Sequence, residues 1–500
     1  MPGIDKMQYY NVHDLEMFFS PRSIAIIGVS RGAAAFGGNS FLHHFLEARY
    51  PGVIYPINPT APEVMGLRAY PNLAALPETP ELAIIALPAA AVPDTLTECA
   101  RLGIRRIHIL SAGFSEIGTE EGRRLETLVA SIARERDLLI IGPNCMGPYS
   151  PSSRLTAWGA VPGRDGNLGI ISQSGGITQR LTEYVCSLGV GVNKAVSIGN
   201  AAVLDSPDFL EFMAEDEAIR VIALYLESIR DGNRLFTLSR NVTPRKPIIM
   251  LKGGESARGA ATVSSHTGRM AGDSKIWQAF YAQTGVVPVS SMNEWVDALL
   301  AFSLLPKIPV SQASKGVFIV GGGGGNSVIF SDTCIREGLD VPTLSRESME
   351  KISPFVPAAG SIAGNPLDLW TTFLSVELLF SVLEIAYRDP HISMVIVDRL
   401  IPRIAFHSPE TADSLPAIIE FIKTNKLRKP TVFTIDYDGG DAELINKGSQ
   451  LRSRFCAEGI PAYPSFERAV RALVHFQKYC SLFAGPKSVR SRKQSGQLTV

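Results

Sequence analysis

Short apolar runs alternate with amphipathic stretches along this chain of 500 residues, and no other feature constrains its fold as strongly. Short strands followed by helix-length segments are typical of parallel sheets with crossover helices. The first strand-like runs are SIAIIGV (23–29), GVIYPIN (52–58), LAIIAL (82–87), RIHILSA (106–112) and LLIIGP (138–143). Helical segments such as 39–48 and 119–135 lie between these runs. The pattern predicts a doubly wound α/β domain that ends near Ser150.

The same alternation occurs twice more along the chain. A second set of runs is NLGIISQSG (167–175), NKAVSIGN (193–200), IRVIALYLES (219–228) and KPIIMLKGG (246–254), and a third includes GVFIVGGGGG (316–325), MVIVDRL (394–400) and PTVFTID (430–436). The proline-containing segment 305–316 between them is typical of a linker. Since a single core stops growing at about 250–300 residues, we expect three domains and a disordered tail. Their predicted bounds are 14–150, 151–305 and 314–485, with the tail at 486–500.

The charge and composition of the chain exclude several classes of function. It has 48 basic and 48 acidic residues, so no overall field attracts nucleic acid or an anionic membrane. No apolar run reaches the roughly 18 residues of a membrane span, and the N-terminus lacks the basic and apolar regions of a secretory signal. We therefore expect a cytoplasmic protein. Its six cysteines have no metal-ligand spacing, so we predict reduced thiols and no metal site.

Three strand exits of the first domain are rich in small residues. They are Gly28-Val29-Ser30, SAGF (111–114) and IIGPNCMG (140–147). Such turns at the carboxyl edge of a sheet can hold an anion, but they are also ordinary strand-to-helix turns. A nicotinamide cofactor is disfavoured, because the spacing is not GxGxxG and the second strand ends in Asn58-Pro59 rather than in an acidic residue.

Two later strand exits carry glycines where a helix is expected to begin. They are ISQSGGITQ (171–179), with Gln173, Ser174, Gly175 and Gly176 at the helix start, and GGGGGNS (321–327) in the third domain. Free N–H groups and the helix dipole favour phosphate at such positions. Five consecutive glycines are costly in backbone entropy, and packing does not explain them. A bound phosphate or a closely approaching backbone is therefore the better interpretation.

The segment SSHTGRMAG (264–272) contains the candidate nucleophile. His266 stands among small residues, and a neutral imidazole is nucleophilic near pH 7. LYLESIRDG (224–232) places Glu227 at the end of an apolar strand, where a carboxylate needs a partner. A carboxylate that accepts a hydrogen bond from one imidazole nitrogen leaves the other nitrogen free to attack. Taken singly, a structural histidine and a surface glutamate remain open alternatives.

Taken together, these segments resemble the α subunit of ADP-forming acetyl-CoA synthetases, which are relatives of succinyl-CoA synthetase. The resemblance covers about Ser20 to Cys480, and its motifs occur in the family's order. They are IGPNCMG, SQSGG, SIGNAA (197–202), YLES, KGG, SHTG followed by AG, and NPLDL (365–369). The resemblance implies a Rossmann-like CoA-binding domain followed by two flavodoxin-like ligase domains.

The resemblance also implies a role for each motif. His266 matches the family's phosphorylated histidine, and Glu227 matches the glutamate that stabilises it. Two helix N-termini would bind the phosphate, with Gln173, Ser174, Gly175 and Gly176 at one and Gly324, Gly325 and Asn326 at the other. CoA would contact Gly28, Ser30, Asn58, Ser111, Ala112, Gly113, Phe114, Pro143 and Asn144. The implied reaction interconverts a small carboxylic acid, CoA and ATP with acyl-CoA, ADP and phosphate.

The chain departs from the family pattern at two points. Arg269 and Met270 follow SHTG, where the family commonly has serine and leucine, and Arg269 could pair with a substrate carboxylate or phosphate or be solvated. An ATP-grasp domain is missing from the pattern, so we expect ADP or ATP and Mg²⁺ to bind a separate ATP-grasp β subunit in a heterotetramer. The alternatives are a non-catalytic CoA-binding regulatory or scaffold protein of the same fold and a nicotinamide-dependent dehydrogenase.

Overall fold

A computed structural model of the chain describes residues 12–30, 37–156, 158–159, 164–267, 272–306, 314–321, 323–356, 363–369, 375–398, 409–436 and 442–483. The chain forms two compact units, Met1–Val296 and Asp297–Val500. Within the described ranges, no helix has both the length and the apolar character needed to cross a membrane.

The first sheet of the first unit is parallel, with five strands in the order β2-β1-β5-β6-β7. The strands are β1 (Ser23–Ile27), β2 (Val53–Ile57), β5 (Leu82–Ile85), β6 (Arg106–Ile109) and β7 (Leu139–Ile141), with a small antiparallel pair, β3 (Glu63–Val64) and β4 (Leu67–Arg68). The helices are α1 (Gly38–Glu47), α2 (Val92–Arg101) and α3 (Glu120–Arg136). Because β1 lies between β2 and β5, the strand order reverses there, and such a point opens a crevice at the carboxyl edge.

Local sequence signals set the ends of helix α3. The Thr119 hydroxyl accepts a hydrogen bond from the Gly122 amide at 3.1 Å and so caps the helix N-terminus. Glu120 and Glu121 occupy the first turn, where the helix dipole favours negative charge. At the other end Asp137 adopts the left-handed conformation, with φ of 55°, and the helix stops. Helix α3 therefore begins and ends where its own residues dictate.

The second sheet of the same unit has six strands in the order β13-β12-β11-β9-β10-β8, and only β8 runs antiparallel to its neighbour. The strands are β8 (Gly147–Tyr149), β9 (Leu168–Ser172), β10 (Val192–Ser197), β11 (Val221–Leu226), β12 (Ile248–Lys252) and β13 (Val287–Val289). The helices are α4 (Gly175–Ser187), α5 (Ser206–Glu215), α6 (Gly232–Val242), α7 (Ala257–Thr267) and α8 (Ser274–Thr284), and α9 (Met292–Leu304) contains the boundary at Val296. The strand order reverses at β9, so the start of α4 stands at the switch point of this sheet.

The second unit contains a parallel sheet of four strands in the order β14-β15-β16-β17. The strands are β14 (Val317–Gly321), β15 (Met394–Asp398), β16 (Thr431–Thr434) and β17 (Ala462–Tyr463). The helices are α10 (Gly323–Glu337), α11 (Arg346–Ile352), α12 (Val376–Arg388), α13 (Pro409–Thr424), α14 (Ala442–Ala457) and α15 (Phe466–Phe483). The α/β fold with three largely parallel sheets that the sequence predicts is confirmed.

Candidate active site

Two asparagines hold the turn that follows β1. Gly28 has φ of +99°, and its Cα lies against the backbone that leaves β5, so a side chain there would collide with that strand. The Asn39 side chain, in α1, accepts a hydrogen bond from the Ser30 amide at 2.7 Å and donates to the Ser30 carbonyl at 3.0 Å. Asn58 donates to the Val29 carbonyl at 2.7 Å. Asn58 and Asn39 thus hold the turn through hydrogen bonds to its backbone. The sequence analysis names Asn58 as a CoA contact but misses Asn39.

The SAGF turn after β6 divides into two halves. Ser111 and Ala112 face the cavity described below. The amides of Gly113 and Phe114 instead donate to the Glu116 carboxylate, at 2.6 and 3.1 Å. The Phe114 ring is fully buried in the core of the first domain. Only the first half of this motif is therefore available to a ligand.

The exit of β7 is tied to the second domain by Asn200, from the SIGNAA motif. The Asn200 amide donates to the Pro143 carbonyl at 3.0 Å, and the Asn144 side-chain amide donates to Asn200 Oδ1 at 3.3 Å. The Asn200 side chain also donates to the Glu126 carboxylate at 2.8 Å. The Asn144 backbone amide donates to the Ser111 carbonyl at 2.9 Å. Asn200, buried after β10, thus holds the exit of β7 and helix α3, and Asn144 ties that exit to the exit of β6. The sequence analysis lists the SIGNAA motif but assigns Asn200 no role.

A cavity of about 510 Å³ lies between the carboxyl edge of the first sheet and the start of α4. Its lining residues are Gly37, Ala86, Leu87, Leu110, Ser111, Ala112, Asn144, Cys145, Met146, Gly175, Gly176 and Gln179. The cavity therefore brings together predicted CoA contacts and predicted phosphate contacts. The other predicted CoA contacts, Gly28, Ser30, Asn58, Gly113, Phe114 and Pro143, are not among its lining residues.

The start of α4 presents backbone N–H groups to this cavity. Ser174 is the N-cap, and its hydroxyl accepts a hydrogen bond from the Ile177 amide at 3.4 Å. A Cβ on Gly175 would lie 2.6 Å from the Met146 side chain, whereas a Cβ on Gly176 would have no atom of the described part of the chain within 4 Å. The first N–H groups of a helix lack intrahelical acceptors and carry the positive end of the dipole. The two glycines leave these groups open to an anion in the cavity.

Gln173 connects the exits of β9 and β11. Its side-chain oxygen accepts hydrogen bonds from the Glu227 amide at 2.6 Å and the Ser228 amide at 3.0 Å, and its NH₂ group donates to the Ser228 carbonyl at 2.9 Å. The residue is 7% exposed. The sequence predicts Gln173 as a phosphate ligand, but these contacts commit its amide to the backbone that carries Glu227.

Glu227 is a buried carboxylate at the carboxyl edge of the second sheet. Its Oε1 accepts a hydrogen bond from the Tyr225 hydroxyl at 3.0 Å, and burial together with this carboxylate raises the pKa of Tyr225. A Cβ on Gly253 would lie 3.3 Å from Glu227 Cγ and 2.7 Å from the Tyr225 hydroxyl. The carboxylate is thus fixed between Tyr225, near the end of β11, and Gly253, just after β12.

A buried lysine that the sequence analysis missed stands beside Glu227. Lys252, at the end of β12, donates to the Glu227 carbonyl at 2.9 Å and to the Gly253 carbonyl. Its Nζ lies 5.2 Å from the centre of the Trp277 ring, a cation–π arrangement. Burial lowers the pKa of Lys252 to about 8, and Glu255 and Glu227 partly oppose that shift. A charged residue at the end of an apolar strand, the signal that identifies Glu227, would have identified Lys252 as well.

His266 lies in the last turn of α7, and its side chain is outside the described part of the structure. Arg269 and Met270 also lie outside the described residues. The backbone of α7 packs beside the single-turn helix Ser115–Ile117, which follows the SAGF turn. The helix that bears His266 therefore runs along the edge of the first domain. Its contact with Glu227 stays a prediction.

The second unit carries the other predicted phosphate site. Helix α10 begins at Gly323, and a Cβ on Gly324 would lie 3.6 Å from the carboxylate of Asp368, from the NPLDL motif. Among the described residues, no atom lies within 4 Å of the Cβ position of Gly325. Asn326 follows in the same turn and is partly exposed. These residues form an open glycine-rich helix start, and its pairing with the start of α4 stays a prediction.

Comparison with known domain families defines the class of the chain. Residues 22–150 match the CoA binding domain, residues 165–302 the succinyl-CoA ligase like flavodoxin domain, and residues 317–480 the ligase-CoA domain. These matches occur in the order that the sequence motifs predict. The chain is a three-domain protein of the succinyl-CoA ligase type.

Similarity over nearly the full length narrows this class. The chain is 33% identical over 452 residues to the alpha subunit of ADP-forming acetate–CoA ligase II from Pyrococcus furiosus, covering 90% of this chain and 94% of that one. It is 33% identical over 472 residues to ADP-forming acetate–CoA ligase I from Archaeoglobus fulgidus, covering 94% of this chain but 64% of that protein. The structure of a dinucleotide-forming acetyl-coenzyme A synthetase 1 from Candidatus Korarchaeum cryptofilum, in complex with phosphate and ADP, matches with a TM-score of 0.81 at 29% identity, covering 94% of this chain and 98% of that one. The chain belongs to the ADP-forming acetate–CoA ligase family of acid–thiol ligases.

Proposed function

We propose that this chain is the subunit of an NDP-forming acid–CoA ligase in which the acyl-CoA chemistry takes place. The overall reaction interconverts acyl-CoA, ADP and phosphate with a carboxylic acid, CoA and ATP. One observation carries the proposal: a single cavity is bordered by Ser111 and Ala112 of the CoA-binding domain and by Gly175 and Gly176 at the start of α4. A thioester and a phosphate can therefore meet there.

In the first step, a phosphate oxygen attacks the thioester carbonyl. The C–O bond of an acyl phosphate forms, the C–S bond breaks, and CoA leaves as its thiolate, which takes up a proton. The N–H groups of Gly175 and Gly176 would hold the phosphate against the thioester, because the helix start favours anions. Leu87 and Met146 would keep water away from the acyl phosphate.

In the second step, His266 takes the phosphoryl group. One imidazole nitrogen attacks phosphorus, the P–O bond to the acyl group breaks, and the carboxylate leaves. Glu227 would accept a hydrogen bond from the other imidazole nitrogen and offset the positive charge of the phosphorylated ring. Two observations support this assignment: Glu227 is buried within a network of hydrogen bonds, and α7 runs along the edge of the first domain.

In the third step, the phosphoryl group moves from His266 to ADP. We infer that an ATP-grasp β subunit supplies the ADP and Mg²⁺ site, in a heterotetramer with this chain. The Pyrococcus furiosus relatives are named as alpha subunits, which supports a second component.

The phosphoenzyme tests the proposal directly. With labelled ATP and a co-expressed ATP-grasp subunit, we expect acid-labile, base-stable phosphate on His266 and complete loss of label in His266→Asn. His391→Asn, at an exposed histidine of the third domain, is the matched control and should keep the label. Glu227→Gln should lower turnover by about 10²–10⁴-fold with CoA affinity unchanged. Label on another residue, or full ligase activity in His266→Asn, would refute the mechanism.

The partner subunit is tested by nucleotide binding to this chain alone. Calorimetry should detect CoA binding but no ADP binding until the second subunit is added. Micromolar ADP binding by the isolated chain would contradict the two-subunit arrangement. CoA binding without any labelled phosphoenzyme in the reconstituted complex would favour the regulatory or scaffold alternative.

A further inference from the structure

The last turns of helix α1 carry two histidines and a glutamate on one face. An α-helix advances about 100° per residue, so His43, Glu47 and His44 project at about 0°, 40° and 100° around the helix axis. One nitrogen from each imidazole and one carboxylate oxygen all lie within 4.8 Å of one another. Glu47 stands between the two rings. These three side chains are used by none of the steps proposed for the ligase reaction.

The distances between these three atoms are close to those between ligands that share one metal ion. Glu47 Oε2 lies 3.9 Å from His43 Nε2 and 3.9 Å from His44 Nδ1. That distance is too long for a hydrogen bond. Ligand atoms bound at about 2.0–2.1 Å to one metal ion stand roughly 3–4 Å apart, depending on the angle between the bonds. Small side-chain rotations would bring all three atoms to that range.

His44 Nδ1 supplies a second, independent observation. It is buried, and within the described residues it has no hydrogen-bond partner, although buried polar atoms normally have one. The His44 side chain is 21% exposed and that of His43 is 64% exposed, so solvent and ions reach the pair from one side.

The position on the helix also favours a cation. His43, His44 and Glu47 stand at the C-terminal end of α1, where the helix dipole is negative. The opposite end begins at Gly38, next to the cavity of the candidate active site, and His44 lies six residues further along. At 1.5 Å per residue this is about 9 Å of helix. The cluster is therefore separate from the place where thioester and phosphate would meet.

We propose that His43, His44 and Glu47 form a binding site for a divalent transition-metal ion of the zinc class. Imidazole nitrogen suits zinc, nickel and copper, whereas Mg²⁺ and Ca²⁺ prefer sets of oxygen ligands. Three protein ligands leave positions for water, so the ion exchanges with solvent rather than being locked in a closed structural site. This proposal replaces the expectation, drawn from cysteine spacing, that the chain has no metal site.

Metal titration of the full chain alone tests the site, without reference to ligase activity. After chelator treatment, Co²⁺ should bind with one equivalent and give visible absorption without a thiolate charge-transfer band, and Zn²⁺ should displace it. His43→Gln and Glu47→Gln should each weaken binding at least about tenfold, because each removes one of three ligands. Zn²⁺ should raise the melting temperature of the wild type more than that of either variant.

The control variant is His391→Gln, which removes an exposed histidine of the third domain. It should bind Co²⁺ like the wild type. The proposal is wrong if the chain binds no Co²⁺. It is also wrong if the affinity is the same in His43→Gln, Glu47→Gln and the wild type, or if a thiolate band shows that cysteine holds the ion.

Discussion

Replacing Lys252 by arginine should remove an alkaline limb from the pH profile of the ligase. Lys252 donates to the Glu227 carbonyl at 2.9 Å, and its charge lies in the same buried region as the Glu227 carboxylate. Phosphoryl transfer brings a second negative group to this region, and the ammonium charge offsets it. A neutral amine could keep a hydrogen bond but would not offset charge. Activity should therefore depend on protonation of Lys252.

The size of the effect follows from the pKa of Lys252, which burial lowers to about 8. At that pKa about nine-tenths of the molecules carry the charge at pH 7 and about one-tenth at pH 9, so the rate should fall about tenfold across this range. Stability should move the other way. Between pH 8 and about 10.4, the unfolded chain binds a proton at Lys252 that the folded chain does not, so this group adds stability as pH rises. Titration of Lys252 by itself therefore does not destabilise the fold while the rate falls.

The assay is the rate of phosphoenzyme formation in the reconstituted complex from pH 6.5 to 9.5, with circular dichroism at each pH. Arginine stays protonated throughout, so Lys252→Arg should be slower than the wild type but flat in this range. Lys429→Arg is the matched control, because Lys429 is also buried, also donates to backbone carbonyls and also has a pKa of about 8, but lies in the third domain. The reasoning fails if the rate of Lys252→Arg falls at alkaline pH as that of the wild type does. It also fails if the rate of Lys429→Arg no longer falls there.

Two further substitutions test the geometry of the site. Ala112→Trp should fill part of the cavity and weaken CoA binding at least about tenfold, as measured by calorimetry. Ala75→Trp, at an exposed alanine, is the control and should bind CoA like the wild type. Equal CoA affinities in the two variants would show that the thioester does not bind in this cavity. Gly253→Ala places a Cβ 2.7 Å from the Tyr225 hydroxyl, so it should displace the tyrosine from Glu227 and slow phosphoenzyme formation about tenfold or more. Gly232→Ala, whose Cβ would have its nearest neighbour at 4.0 Å, is the control, and equal rates in the two variants would contradict the assignment of Glu227.

The features that the sequence predicts best are those set by neighbouring residues. The helix start at Ser174 is encoded by a capping serine followed by two glycines, and the structure begins α4 at Gly175. The parallel sheets follow from uninterrupted apolar runs, because strands buried on both faces have no polar side to display. Such signals need no knowledge of distant contacts, so they can be found along a single chain.

Contacts between strand exits could not be predicted in this way. Gln173 meets the backbone of Glu227, which lies 54 positions along the chain, and the Asn200 side chain meets Glu126, 74 positions away. Nothing near Gln173 in sequence distinguishes an amide that binds phosphate from one that holds a neighbouring loop. The order of strands in the sheet decides between the two, because it determines which exits are adjacent. Local sequence therefore identified the motif but not the partner of its side chain.

These long-range contacts also change the role expected for the polar residues of the site. Gln173 and Asn58 direct their amides at backbone groups, and Asn200 directs its side-chain amide at the Glu126 carboxylate. Many of the residues that line the cavity are small, such as Ser111, Ala112, Gly175 and Gly176. A site of this kind recognises a ligand through fixed loop geometry, which needs no reorganisation when charge develops. Removal of one of these amides should therefore slow catalysis by displacing a loop, although the amide itself touches no substrate. The Gln173 side chain holds the backbone of Glu227, so Gln173→Ala should lower turnover as Glu227→Gln does, while calorimetry should find CoA affinity unchanged, because the Gln173 side chain does not line the cavity.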